Sequence, residues 1–186
     1  MHKSEFCGIL VALVVATLGI TSTGPADQAA ADYQVTPLRV QDMPEVTVYY
    51  QTVKTKLPDM SKDFDPVFAD YDKALEAGEL QRAGPVMLVY HNASFERPFD
   101  LDVCFTAPAD AMPVEKFQVK KVPSFKCASV VYVGSLKWLG QAYQSLFKQL
   151  NGAGLQATGQ TREVYLFWGG YDSPNNVTYV QSGIED

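Results

Sequence analysis

TREVYLFWGGY, Thr161 to Tyr171, alternates with a period of two and reads as a strand whose faces differ in chemistry. Arg162, Val164, Leu166 and Trp168 share one face, where the three apolar side chains make an ordinary core surface. Thr161, Glu163, Tyr165 and Phe167 share the other, which sets one carboxylate beside two aromatic rings. Such a face suits the wall of a pocket that holds a cation or an electrophile. It also suits a solvated edge strand, because carboxylates in water greatly outnumber functional ones. Gly169 and Gly170 end the strand, and the turn from Asp172 to Asn176 leads into a last strand at Val177–Val180.

Upstream of that stretch, a helix is expected from Ser135 to Leu150, with Leu136, Leu139, Tyr143, Leu146, Phe147 and Leu150 at helical spacing. Tyr143, Leu146 and Phe147 lie on its apolar stripe and read as core. Trp138 lies off the stripe, as a pocket rim or an exposed ring. Gly152 and Gly154 end the helix. It is preceded by strands at Val114–Val122 and, beyond Pro123, at Phe125–Val133. The first half has the same order. Glu45–Lys54 alternates as a half-buried strand. Asp65-Pro66 is a suitable N-cap and first helical position for a helix carrying Val67, Phe68, Tyr71 and Leu75 and stopping at Gly78. Strands follow at Val86–His91 and Asp100–Thr106. Two strand-helix-strand-strand units, each burying a helix on one sheet face, make an internally duplicated α+β domain. Asp32–Pro44 reads as a linker or an ill-formed leading strand.

The chain has 186 residues, 47% of them hydrophobic, and a net charge of −6, which fits one globular domain and argues against nucleic-acid binding. Two histidines and scattered cysteines at 7, 104 and 127 give no metal-ligand spacing, and no glycine-rich phosphate loop is present, so no cofactor is implied. His91 ends a strand and reads as solvated. No Ser-His-Asp or Cys-His set can be assembled. Lys3 followed by the apolar run Gly8–Ile20 and by Ala29-Ala-Ala31 marks residues 1–31 as a signal peptide, or an uncleaved anchor. Export to the periplasm or the exterior is therefore expected, with membrane contact only if that segment stays attached. In such a compartment Cys104 and Cys127 either pair as a disulfide or remain two buried thiols.

Several of these residues resemble one family. Tyr132-Val-Gly134, the helix with Ala142-Tyr143, the Gly154-Leu155 exit and Arg162-Glu163-Val164-Tyr165-Leu166 are similar to the second half of a GyrI-like domain. That domain is also the effector-binding part of AraC-type regulators. Gly84-Pro85, Tyr90-His91 and Leu101–Thr106 followed by Pro108 match the first half in layout, so the resemblance spans residues 45–186. It implies a concave antiparallel sheet with two helices on one face and a pocket at the junction of the repeats. There Glu163 would face an apolar or cationic small molecule. Tyr165, Phe167, Tyr90, Tyr132 and Trp138 complete the candidate ligand contacts. The resemblance also implies a second activity, hydrolysis of strained, cyclopropane-bearing electrophiles with Glu163 as general base. The family's His-x-Gly-x-Tyr reads Tyr132-Val-Gly134-Ser-Leu136 here, so its usual hydroxyl is absent and Tyr132, Tyr165 or Tyr90 would have to replace it. About 44 residues precede the domain without a helix-turn-helix, so a fused DNA-binding sensor is not expected.

Overall fold

The computed structural model describes residues 33–185, apart from Asn92, Phe95 and the side chain of Ser61. The apolar run, the small-residue site and Cys7 lie outside the described residues. Among the described residues, nine strands form one curled antiparallel sheet. They are β1 (Tyr33–Val35), β2 (Arg39–Met43), β3 (Val46–Thr55), β4 (Val86–His91), β5 (Phe99–Thr106), β6 (Gln118–Val122), β7 (Phe125–Gly134), β8 (Ala157–Phe167) and β9 (Val177–Ile184). Helix α1 (Met60–Glu76) follows β3, and α2 (Leu139–Gly152) follows β7.

The order β7-β9-β8-β4-β5-β3 places the two repeats back to back. Each contributes three strands, and β8 pairs with β4 at the seam. The duplicated α+β architecture follows directly from the two periods in the sequence. Both helices cover one face. On α1, Tyr71 stacks on Phe105 of β5 at 3.6 Å and 9°, with Phe68 edge-on to the same ring at 5.4 Å. On α2, Leu139, Leu146 and Leu150 are buried with Val130, Tyr132 and Val180 of the sheet. Fully burying a side chain of this size contributes about 1.5–3 kcal/mol, so these two clusters fix the helix layer. A smaller apolar cluster of Val48, Met87, Val89, Cys104 and Val122 occupies the opposite face.

Three elements are redrawn, and one open alternative, that of the cysteines, is decided. Of the two readings of residues 32–44, the leading strand holds over the linker, since β1 and β2 pair with the outer edge of β7, where unpaired strand groups template added strands. Their short, polar sequences carry too little alternation to show it. Helix α1 begins at Met60, after a 3-10 turn opened by Pro58, and Pro66 sits inside the helix. β6 is shorter than expected, because Val114 and Phe117 exchange backbone hydrogen bonds in a turn. Finally, Cys104 and Cys127 are both free and buried. They lie on β5 and β7 with three strands between them, about 4.8 Å per strand spacing along the sheet, too far for a bond that needs Cα atoms within about 7 Å.

Candidate functional site

Strand β8 is central, and Glu163 sits near its middle, opposite Leu88 of β4 and Val180 of β9. Alternation turns its side chain toward the helix layer, where it is completely buried. Of the two readings of this face, the solvated edge is therefore excluded, and the core face expected on the other side of the strand is corrected as well. The Glu163–Tyr165 face is the main core face, while Val164 packs on the small opposite cluster and Leu166 is exposed. Arg162 is buried on that opposite side, donating from its guanidinium to the Pro123 carbonyl at 3.0 Å and lying 3.5 Å from the centre of the Phe125 ring. Burial lowers its pKa to about 10.

Two phenols hold the Glu163 carboxylate. Tyr143 of α2 donates to Oε1 at 2.5 Å, and Tyr165 of the same strand donates to Oε2. Burial pushes the Glu163 carboxyl above the ordinary range, and the two phenol hydrogen bonds partly offset that rise, with Tyr90 nearby acting in the same direction. Burial first, and the Glu163 charge second, raise Tyr90, Tyr143 and Tyr165 well above the usual phenol value, so all three remain protonated donors. The Tyr90 hydroxyl is close enough to feel that charge, yet it makes no hydrogen bond of ordinary geometry. Among the described residues no lysine or arginine forms an ion pair with Glu163.

A cavity of about 260 Å³ opens beside this cluster. Its walls include Glu163, Tyr90, Tyr143, Phe147, Leu57 and Thr161, with the small residues Ala157 and Gly159 at its lining. The surroundings are predominantly apolar, with one carboxylate and a few hydroxyls as polar points, the usual make-up of a small-molecule pocket.

The other sequence candidates scatter. Phe167 does not join Glu163, because an irregularity in the β8·β9 pairing between Tyr165 and Phe167 breaks the alternation and leaves Phe167 53% exposed. Trp168 instead meets Tyr165 edge-on at 6.0 Å. Tyr132 is buried two strands from β8, donates to the Ser135 carbonyl at 2.6 Å and stacks on Tyr33. Trp138 is 40% exposed in the 3-10 turn before α2. Neither Tyr132 nor Trp138 lines the cavity. Conversely, Tyr143 and Phe147, expected only as helix core, also line it. A readable signal existed in Tyr143, since a phenol on an otherwise apolar buried stripe needs a hydrogen-bond partner. His91 is solvated as expected, its side chain 43% exposed, but it also has an acid partner. Its Nε2 lies 2.6 Å from Oδ2 of the buried Asp102, which also accepts from Lys120 Nζ at 2.5 Å and Thr52 Oγ1 at 2.5 Å.

Comparison with solved structures gives the same fold. The C-terminal domain of EcmrR matches with a TM-score of 0.63 at 20% identity, covering 83% of this chain and 98% of that one. EcmrR in a complex with DNA matches at 0.65 and 20%, and there the alignment takes in 83% of this chain but only 58% of that one. SAV2435 bound to tetraphenylphosphonium matches at 0.57 and 12%, over 81% and 94% of the two chains. A hydrolase from Listeria innocua matches at 0.54 and 10%, over 80% and 92%. No curated protein sequence matches significantly. The family model of the GyrI-like small molecule binding domain matches residues 36–176, and the chain belongs to that family.

Proposed function

We propose that the chain binds a small apolar or cationic molecule in the cavity beside the β4·β8 seam, with Glu163 facing the ligand. One observation carries this reading. A fully buried carboxylate has phenol donors but no cationic partner among the described residues, and an apolar cavity adjoins it. A buried charge with no counter-charge is costly unless something fills that role. A ligand cation about 4 Å away would gain about 4 kcal/mol at an effective dielectric of 20, before its own desolvation. Rings of Tyr90, Tyr143 and Phe147 add faces suited to an aromatic or cationic body.

The test is titration calorimetry with lipophilic cations graded in size from phenyltrimethylammonium to tetraphenylphosphonium. Glu163→Gln keeps the shape and removes the charge, and it should weaken binding by roughly ten- to a hundred-fold, the worth of about 1.5–3 kcal/mol for a charged contact. Equal affinity in a folded variant overturns the role given to Glu163. Phenol hydroxyls directly on the carboxylate also favour a second reading, hydrolysis of a strained electrophile with Glu163 as base and a tyrosine as proton donor. There the same variant should abolish turnover while leaving substrate affinity largely intact.

Export is part of this proposal and rests on the Gly8–Ile20 run and Ala29-Ala-Ala31. N-terminal sequencing of the mature protein should start near Asp32, and unprocessed chain found in the cytosol overturns it.

A further inference from the structure

We infer that the groove at the C-terminal end of β8 is a second ligand site, for a flat aromatic anion such as an aryl carboxylate. It lies apart from the Glu163 cavity and goes beyond the binding reading above. The groove encloses about 450 Å³, within the range of roughly 300–1,000 Å³ for small-molecule pockets. Its walls include Val86, Tyr165, Leu166, Phe167 and Trp168, and among the described residues that line it Arg82 alone is charged. Three rings and one guanidinium therefore border the same space. The irregularity opposite β9 brings Phe167 to it, because the alternation breaks between Tyr165 and Phe167. Irregularities of this kind re-aim side chains beside functional sites. Leu166 and Phe167 are both more than half exposed, and adjoining large apolar side chains on a surface mark a place of contact.

Arg82 is held in place and has donors to spare. The Ala83 N–H donates to the Thr106 carbonyl at 3.0 Å, and Thr106 Oγ1 donates to the Pro85 carbonyl at 2.7 Å, so the segment next to Arg82 is pinned to the end of β5. Burial raises the Tyr71 phenol, and the Arg82 guanidinium beside it offsets part of that rise. One hydroxyl can occupy only part of a fork with five donors. Among the described residues no Asp or Glu forms an ion pair with Arg82. A carboxylate takes such a fork through two parallel hydrogen bonds, which an uncharged acceptor cannot match. The aryl group it carries then lies against the rings of Phe167 and Trp168. A net charge of −6 disfavours anions over the surface as a whole, so an anion that binds needs a site of this kind. Tyr165 divides the two spaces: its ring lines the groove, and its hydroxyl donates to Glu163. The carboxylate cavity suits cations, and the guanidinium groove suits anions.

Naphthalene-2-carboxylate and naphthalene-2-carboxamide share one ring system and differ in charge. Equilibrium dialysis against the full chain should give the carboxylate about ten-fold or more tighter binding than the amide, the worth of a charge-assisted hydrogen bond. Arg82→Gln should bring the two affinities level, and Phe167→Ser should weaken both probes while keeping their ratio. Arg82 is exposed, so its replacement leaves the core intact, and Arg82→Met repeats the comparison with the apolar stem kept. Equal affinities in the wild type, a ratio that survives Arg82→Gln, or no binding of either probe at millimolar concentration overturns the site. So does a dimer in sedimentation that Phe167→Ser dissolves, which gives the groove to a second copy of the chain. The lipophilic-cation titrations read the other cavity, so either proposal can fail alone.

Discussion

Glu163 and Asp102 are buried carboxylates with opposite electrostatics. Burial dominates at Glu163 and raises its pKa. At Asp102 burial also pushes upward, but hydrogen bonds from Lys120, Thr52 and His91 outweigh it and hold the pKa below the ordinary value. The two therefore shape stability against pH with opposite signs. For Glu163 the folded pKa exceeds the unfolded one of about 4.3. Its favourable contribution is complete below that pH and is lost as pH rises through the folded value. For Asp102 the contribution is present above about 3.9 and is lost as pH falls through its lowered folded value. Urea unfolding across pH 3–8 should show this. Relative to wild type, Glu163→Gln gains stability as pH rises, whereas Asp102→Asn is most damaging at neutral pH and its deficit shrinks in acid. Parallel profiles for the two variants would refute the assignment.

Among the elements, α1 carries a local fault. Pro66 stands inside the helix, exposed, where it lacks the N–H that would bond to the Lys62 carbonyl. The helix survives because Phe64, Val67, Phe68 and Tyr71 anchor it to the sheet, so burial overrides propensity. Pro66→Ala restores the bond without removing a core contact. It should raise stability by about 1–3 kcal/mol in urea unfolding, and a loss of stability would mean that the proline serves packing. β8 shows the reverse situation, in which a strong strand pattern is interrupted by its partner. The irregularity opposite β9 turns Phe167 outward and leaves Glu163 with Tyr165 and Tyr143.

For the whole molecule, strand order decides what the cysteines do. β9, β8 and β4 separate Cys127 on β7 from Cys104 on β5. Burial raises the Cys104 thiol to about 12 and the Cys127 thiol to about 11, so both are protonated and shielded at neutral pH. Alkylation mapped by peptide mass should leave both unlabelled in the native protein and label both in guanidinium chloride. Labelling of either under native conditions would show that the sheet opens there. The same strand order brings the two repeats together at β4·β8, so Tyr90 from the first half and Glu163 from the second line one cavity.

The sequence determined the α+β class, the two strand-helix-strand-strand units and the side of β8 on which Glu163 lies, because these follow from periods of 2 and 3.6 within short windows. It also held the pairing of Glu163 with Tyr165, two residues apart on one strand face. Only the tertiary structure decided that this face is the buried one, that Tyr143 comes down from α2 to the carboxylate, and that Phe167 is turned away. It also decided that residues 33–43 add strands and that Cys104 and Cys127 stay apart. Each of these depends on which strands become neighbours and in what register. Contacts between residues far apart in the chain set both, and no local pattern encodes them.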